Sequence, residues 1–308
     1  MRCSSPIKAT FDSNGDITYN MSSGSKELVG FEFECRKCLA CKLNNAREKA
    51  TRAVHEAKMH EENIFLTLTY NDASLVSQKL IYADWQKFMK SLRKTTNNYI
   101  PYMVTGEYGE LNKRPHWHAI LFNYRPTDAK HKYSTDSGEQ VFTSEKLDNI
   151  WKKGNLEFGT VTMESAGYVA RYSSKKLVHG QDHEHDYHPI HRTSCKRAIG
   201  RSWIEKYYQH TFENGFIVLP NGQTSKIPRY YQDWCKEHKP ELYFYYISEV
   251  LPKIKKKAEI AARKEEMEFF SSVANYKGGL HAYPRQRAKV KETVLKSKFR
   301  KLQEHLKL

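Results

Sequence analysis

No stretch of the 308-residue chain approaches the roughly 18 consecutive apolar residues of a membrane-spanning helix. The first 30 residues carry Ser, Asp, Asn and Lys where a secretory signal would carry an apolar segment. Neither membrane insertion nor export is therefore expected. Cysteine is scarce: six residues in all, too few for a disulfide framework in a chain of this length, so reduced thiols or metal ligands are expected. There is no internal repeat and no Gly-x-x-x-x-Gly-Lys-Ser/Thr loop, which argues against a nucleotide-driven motor. Acidic residues are outnumbered, 35 Asp and Glu against 51 Lys and Arg, and the formal net charge of +16 favours a polyanionic partner such as nucleic acid. With 39% hydrophobic and 28% charged residues, the chain can bury a sizeable core and is not globally disordered.

Composition divides the chain into four segments. Residues 1–62 hold a cysteine cluster and a helix-like run from about Lys42 to Glu62. Residues 63–178 read as alternating strands and helices, residues 179–250 mix a polar His-rich loop over Gly180–Thr193 with aromatic stretches, and residues 251–308 are Lys-rich and helix-like. The charge is uneven: residues 63–178 have 16 basic and 11 acidic side chains, whereas residues 251–308 have 16 and 6. Most of the excess therefore marks the tail.

Periodicity gives the second segment its outline. Alternation predicts strands over Ile64–Tyr70, Ile100–Glu107, His116–Asn123 and Leu156–Met163. Helical spacing of Trp85, Phe88, Met89 and Leu92 predicts a helix over Ala83–Lys94, with others over Ser144–Lys153 and Tyr168–Leu177. The order β-α-β-β-α-β-α predicts an α+β fold, a ferredoxin-like antiparallel sheet with helices packed on it.

Two patterns inside this segment carry chemistry. In Arg114-Pro115-His116-Trp117-His118, strand alternation turns His116 and His118 to one face and Trp117 to the other. Two imidazoles on a rigid strand make half of a divalent-metal site; alone they are as readily two polar residues on a half-buried strand. The preceding strand ends in Gly106-Glu107-Tyr108, and a hairpin would bring Glu107 beside the histidines, with Glu110 as the fallback acid. A His/His/carboxylate set leaves positions open for Mg²⁺ or Mn²⁺ to hold a phosphate oxygen. In Tyr168-Val-Ala-Arg-Tyr172-Ser-Ser-Lys175-Lys176, helical spacing places both tyrosines on one face with lysines a turn further on. Such tyrosines are either core aromatics or nucleophiles toward a phosphodiester, with Lys175 or Lys176 stabilising the charged oxygens. Proximity to the lysines favours Tyr172 for the first attack.

The order Phe65-Leu-Thr-Leu-Thr-Tyr70, His116-Trp117-His118, Tyr168-x-x-x-Tyr172 resembles the three motifs of HUH endonucleases. The match is closer to the replication initiators of microviruses, the gokushovirus branch in particular. It includes Gly106-Glu107-Tyr108-Gly109, Glu164-Ser165-Ala166, Cys35-x-x-Cys38-x-x-Cys41, Ile199-Gly200-Arg201-x-Trp203-x-Glu205-Lys206-Tyr207 and Pro228-Arg229-Tyr230-Tyr231. It runs from Cys3 to about Tyr231, and Trp117 is bulkier than the usual central residue. The resemblance implies rolling-circle initiation on a single-stranded DNA origin in the host cytoplasm. A metal at Glu107, His116 and His118 would polarise the phosphate. One tyrosine would form a 5′-phosphotyrosine link and free a 3′-OH, and the second would act when the ends are rejoined. A host polymerase and helicase would complete the machinery. The rival readings are an HUH transposase or relaxase, and a non-catalytic zinc-stabilised nucleic-acid-binding protein.

Cys35, Cys38 and Cys41 have ligand spacing; an iron–sulfur run would continue with cysteine where Asn45 stands, so structural zinc is the expectation. The start of the resemblance at Cys3 makes that residue the best fourth ligand, ahead of His55 and His60. His179, His183, His185, His188 and His191 read as a solvated loop, Cys195 and Cys235 as lone thiols, and Tyr230, Tyr231 and Trp234 as core rather than base-stacking aromatics. The runs Lys253–Lys264 and Arg285–Lys307 read equally as solvated helices or as a grip on the DNA backbone.

Overall fold

Period-two burial sets the strands of this protein and 3.6-residue burial its helices. The structure, a computed structural model, describes residues 3–12, 14, 16–19, 31–109, 113–136, 138–175, 190–274 and 287–305. The chain forms two units, Met1–Asn45 with Ala262–Leu308, and Ala46–Ala261. In the first, Ile7–Phe11 (β1) pairs antiparallel with Ile17–Thr18 (β2) and with Phe31–Phe33 (β3). The rings of Phe11, Phe31 and Phe33 pack in series at 5.1 and 5.2 Å. The helix Leu39–Ala57 (α1) begins in this unit and its later turns belong to the second.

The second unit is built on a large sheet. In Asn63–Thr69 (β4), Ile64, Leu66 and Leu68 are fully buried on one face, and each such burial contributes about 1.5–3 kcal/mol relative to exposure. Tyr82–Thr96 (α2) lays Trp85, Phe88, Met89 and Leu92 against that face and ends at Asn97 in the left-handed conformation. The following strands are Tyr102–Tyr108 (β5), Pro115–Phe122 (β6), Lys130–Ser134 (β7) and Gln140–Thr143 (β8). Then come Glu145–Trp151 (α3), capped by the Ser144 hydroxyl, Leu156–Gly159 (β9), Met163–Lys175 (α4) and Ile190–Thr193 (β10). The strand order is β10-β5-β6-β4-β9-β8-β7, antiparallel throughout. The fold is thus α+β, a large antiparallel sheet with helices on it. α2 and α3 cover one face. On the other, Ala46, Ala50 and Ala53 of α1 pack with Ala166, Val169 and Ala170 of α4 over Met103, Ile120 and Phe122; the small side chains let both helices lie close to the strands.

The remaining elements are Arg201–Asn214 (α5), Ile217–Val218 (β11), Thr224–Ser225 (β12), Arg229–His238 (α6), Pro240–Tyr245 (α7), a π-helical turn Tyr246–Val250, Leu251–Ala274 (α8) and Arg287–His305 (α9). Ile204, Phe212, Tyr231, Trp234 and Tyr246 form their core. Tyr231 and Trp234 are buried there, as the core reading expects. α9 is tied to α8 by Lys291 Nζ and Glu265 Oε2 at 2.8 Å.

Three expectations need correction. The His-rich loop assigned to Gly180–Thr193 ends in a strand: Ile190–Thr193 pairs with the edge of β5. That pairing is made by the backbone, and with Ile190 its sole apolar residue it leaves no hydrophobic alternation to read. The tyrosine helix starts at Met163 rather than Tyr168. Thr162 and Ser165 exchange hydrogen bonds at 2.8 and 3.1 Å, a reciprocal N-terminal cap that ends β9 early. The strands β7 and β8 have no counterpart in the periodicity, because every residue of β7 is solvent-exposed.

Candidate metal and nucleophile site

Strand register assembles the site. In the β5–β6 hairpin Glu107 faces His116, Gly106 faces Trp117 and Thr105 faces His118; across β4–β6, Thr67 faces His118 and Thr69 faces His116. Trp117 is turned to the opposite face, fully buried, with its indole N–H donating to the Tyr70 hydroxyl at 3.0 Å. Tyr70 in turn donates to Asp84 at 3.2 Å. A Cβ on Gly106 would come within 2.6 Å of the Trp117 ring, so only glycine lets the indole lie there.

On the histidine face, Oε1 of Glu107 lies 2.8 Å from His116 Nε2 and 3.0 Å from His118 Nε2. His116 Nδ1 lies 3.1 Å from the Arg114 carbonyl, which only accepts, so this nitrogen carries a hydrogen. In a neutral ring the Nε2 lone pair then points at the carboxylate. His118 Nδ1 lies 3.1 Å from Thr67 Oγ1, and its Nε2 also faces Glu107. Acceptor atoms converging in a mostly buried spot need a cation between them, either protons on the rings or a metal ion. Burial works against the charge on Glu107, but the hydrogen bonds and charges of His116 and His118 outweigh it and bring the carboxyl down to about 2. The three ligand atoms lie within 4.8 Å of one another. Two imidazoles and a carboxylate make a three-ligand set with positions left open, so the residues fit a divalent cation.

The tyrosine helix sits on the same face. The Tyr168 hydroxyl donates to Glu107 Oε1 at 2.9 Å and lies 3.4 Å from His118 Nε2. Its ring meets His118 edge-on at 4.9 Å, while Phe65 stacks parallel to His118 at 5.9 Å. Thr105 fixes the helix from below, donating to the Val169 carbonyl at 3.0 Å with His191 Nδ1 2.8 Å from the same hydroxyl. Sequence reasoning does not assign Thr67, Thr105, Arg114 and His191 these roles. The readable signal is the threonine alternation of β4, whose Thr67 and Thr69 share the histidine face. The backbone of Tyr172 and Lys175 lies in α4, a turn and more beyond Tyr168, and their side chains lie outside the described residues, as do Lys176 and Glu110. His179, His183, His185 and His188 also lie outside them.

The cysteines form a second cluster. The Cys3 sulfur lies 3.4 Å from that of Cys35 and 3.8 Å from that of Cys38, and with Cys41 all four sulfurs lie within 4.8 Å. Zinc–sulfur bonds of about 2.3 Å place tetrahedral sulfurs about 3.8 Å apart, so the donor set fits zinc. The Cys38 N–H donates to the Cys35 sulfur at 3.3 Å. Burial works to raise the Cys38 thiol, but hydrogen bonds from Cys41 and Ser4 outweigh it and bring it down to about 6; burial and the neighbouring thiols push Cys41 up. The alternative fourth ligands have other partners. His55 Nδ1 bonds the Tyr231 hydroxyl at 3.0 Å and its ring stacks on Trp203 at 3.7 Å, while His60 pairs with Glu56 at 3.3 Å. Cys235 is buried and Cys195 exposed.

The sequence model of a family of replication-associated proteins, described by its member ORF2, matches residues 63–177, the stretch from β4 through the tyrosine helix. The chain is 54% identical to "Replication-associated protein VP4" of Bdellovibrio phage phiMH2K, covering all of both proteins. It is 31% identical to "Replication-associated protein ORF2" of Spiroplasma virus 4 over 80% of each. It is 33% identical to "Replication-associated protein ORF4" of Chlamydia phage 1 over 67% of this chain and 54% of that one. No solved structure matches the chain. A relative more than half identical along its whole length, and two more whose similarity takes in most of the chain, mean that this protein belongs to the replication-associated proteins of the microviruses.

Proposed function

We propose that this protein initiates rolling-circle replication of a single-stranded DNA phage genome by nicking and rejoining the strand through tyrosine, on an HUH-type, ferredoxin-like core spanning residues 63–178. The observation that carries the reading is the Tyr168 hydroxyl 2.9 Å from Glu107 and 3.4 Å from His118, a candidate nucleophile seated on a candidate metal site. Glu107, His116 and His118 would hold Mg²⁺ or Mn²⁺, and the bound cation would supply a Lewis acid for a phosphate oxygen. Thr67 and the Arg114 carbonyl orient the two rings.

Tyr168 attacks the scissile phosphorus. A bond forms from its phenolic oxygen to phosphorus, the bond to the 3′-oxygen breaks, and a 3′-OH is left to prime synthesis. Glu107 holds the phenolic hydrogen before attack. We assign the first cleavage to Tyr168 because of these contacts, in place of the sequence preference for Tyr172. Tyr172 would cleave the regenerated origin, and the freed 3′-OH would displace Tyr168 and close the circle. Lys175 and Lys176 would neutralise phosphate charge. A host polymerase and helicase would extend and unwind the strand. The four cysteines would hold a structural zinc.

The test is a denaturing gel of a labelled origin strand mixed with protein and Mg²⁺ or Mn²⁺. A band shifted by the mass of the protein is expected, and it is lost in a Tyr168→Phe/Tyr172→Phe double variant. Binding with no covalent band under either metal would leave a non-catalytic DNA-binding protein.

A further inference from the structure

The helix-covered face of the sheet carries a second polar feature beside the metal site. A cavity of 280 Å³ opens between α1, the β5 edge and β10. Its walls are Lys49 and Arg52 of α1 and His191 and Arg192 of β10, with Cys195 at the rim, and among the described residues no carboxylate lines it. The nearby acids are engaged elsewhere. Glu48 pairs with Lys226 at 3.2 Å and accepts from the Arg229 N–H, Glu56 accepts from the Gly200 N–H at 2.7 Å, and Glu205 pairs with Arg201 and Arg197. Arg52 is fixed in place: its Nε donates to the Ile199 carbonyl at 3.0 Å and its guanidinium lies 4.2 Å from the centre of the Tyr230 ring. A cation oriented and partly stripped of water in this way is suited to a planar two-point contact with a phosphate. The larger cleft of 760 Å³ near the start of α4 has Glu61, Glu62 and Glu164 beside Lys58 and Arg125, and shows no such preference.

Position links the cavity to the reaction. Met103, which lines it, and Glu107 are four residues apart on β5 and share a face, a separation of about 14 Å along the strand. A short stretch of single strand covers that distance. His191 touches both places, lining the cavity and bonding Thr105, the residue that holds the tyrosine helix.

We propose that the cavity walled by Lys49, Arg52, His191 and Arg192 binds a backbone phosphate of the DNA strand on one side of the scissile bond. This subsite rests on the reading of the protein as a single-strand DNA enzyme. It would keep the strand in register with Tyr168 and retain one end after cleavage.

Cys195 serves as the reporter, being the exposed cysteine of the six. The full chain is alkylated without added divalent metal, so that no cleavage occurs, and labelling of Cys195 is followed by peptide mass mapping. A single-stranded origin oligonucleotide should slow Cys195 labelling several-fold, whereas inorganic phosphate at the same concentration should not. In a Lys49→Glu/Arg192→Glu variant with an unchanged melting profile, the protection should disappear. The salt dependence of strand binding should also flatten by about 0.7 for each phosphate no longer neutralised. Equal labelling with and without bound strand overturns the subsite and leaves the tyrosine mechanism standing. Protection and salt slope both retained in the double variant overturn it too. Equal protection by phosphate alone makes the cavity a free-anion site and overturns it as a strand subsite. Failure of the wild-type chain to bind the strand at all overturns this proposal and the functional reading together.

Discussion

The imidazole of His116 is fixed at both nitrogens, by the Arg114 carbonyl and by the Glu107 carboxylate. His118 is fixed likewise by Thr67 and Glu107. Orientation by groups that do not themselves bind the metal typically governs affinity by a factor of about 10–100. Thr67→Val keeps the shape of the side chain and removes its hydroxyl. It should weaken Mn²⁺ binding by about that factor, measured by titration calorimetry, while leaving the fold intact; unchanged affinity would mean that the Thr67 contact does not orient His118. Tyr168→Phe should eliminate the first cleavage, whereas Tyr172→Phe should permit it and block rejoining, both read on denaturing gels. The residue types of this site are legible in the sequence because His-x-His on a strand and Tyr-x-x-x-Tyr on a helix fix which side chains share a face. The contacts of Thr67, Thr105 and Arg114 are not, since those depend on which strand lies beside which.

At the level of elements, the β5–β6 hairpin does most of the positioning, and Gly106 is its tight point. A methyl group there meets Trp117 at 2.6 Å and Leu80 at 2.9 Å. Gly106→Ala should therefore cost about 1–3 kcal/mol in denaturant unfolding and weaken metal binding by shifting Glu107; a variant as stable as wild type would show that the indole moves aside freely. The cysteine cluster yields a similar test. Protein purified without added metal should carry about one equivalent of zinc, and Cys38→Ser should lower that content sharply. Strands β4, β5, β6 and β9 and helices α2 and α3 are readable because hydrophobic residues repeat at their periods. β10 is not, since pairing along a sheet edge needs only backbone groups. The start of α4 escapes the periodicity because a Thr-x-x-Ser cap is a weaker signal than the apolar period that follows it.

For the whole molecule, charge and burial give separate predictions. Deleting residues 285–308 removes a net charge of +7. It should flatten the salt dependence of DNA binding while leaving cleavage at saturating DNA largely intact; loss of cleavage in a folded truncation would make the tail part of the catalytic unit. His55, buried between Trp203 and Tyr231, is pushed by burial from 6.5 down to about 3. The unfolded chain therefore takes up a proton near pH 6.5 that the folded chain refuses until about pH 3. Its contribution is fully present above pH 6.5 and is lost as the pH falls below it, at up to about 1.4 kcal/mol per pH unit. Glu107, held down to about 2, keeps its own contribution until the pH falls below the ordinary carboxyl range. A His55→Gln variant should show a correspondingly shallower slope between pH 6.5 and 4.5 in unfolding titrations, and an unchanged slope would contradict a neutral buried His55. The net charge itself says only that the partner is anionic. The chemistry proposed for that partner comes from three ligand atoms and one hydroxyl.

The central claim is that Tyr168 is the first group to become covalently joined to DNA. Protein, origin strand and Mn²⁺ are mixed, the complex is denatured and digested, and the adduct is located by mass spectrometry. A nucleotide phosphate on the peptide containing Tyr168, absent in Tyr168→Phe and present in Tyr172→Phe, is the predicted result. A first adduct on another residue, or strand cleavage with no protein adduct at all, would contradict it.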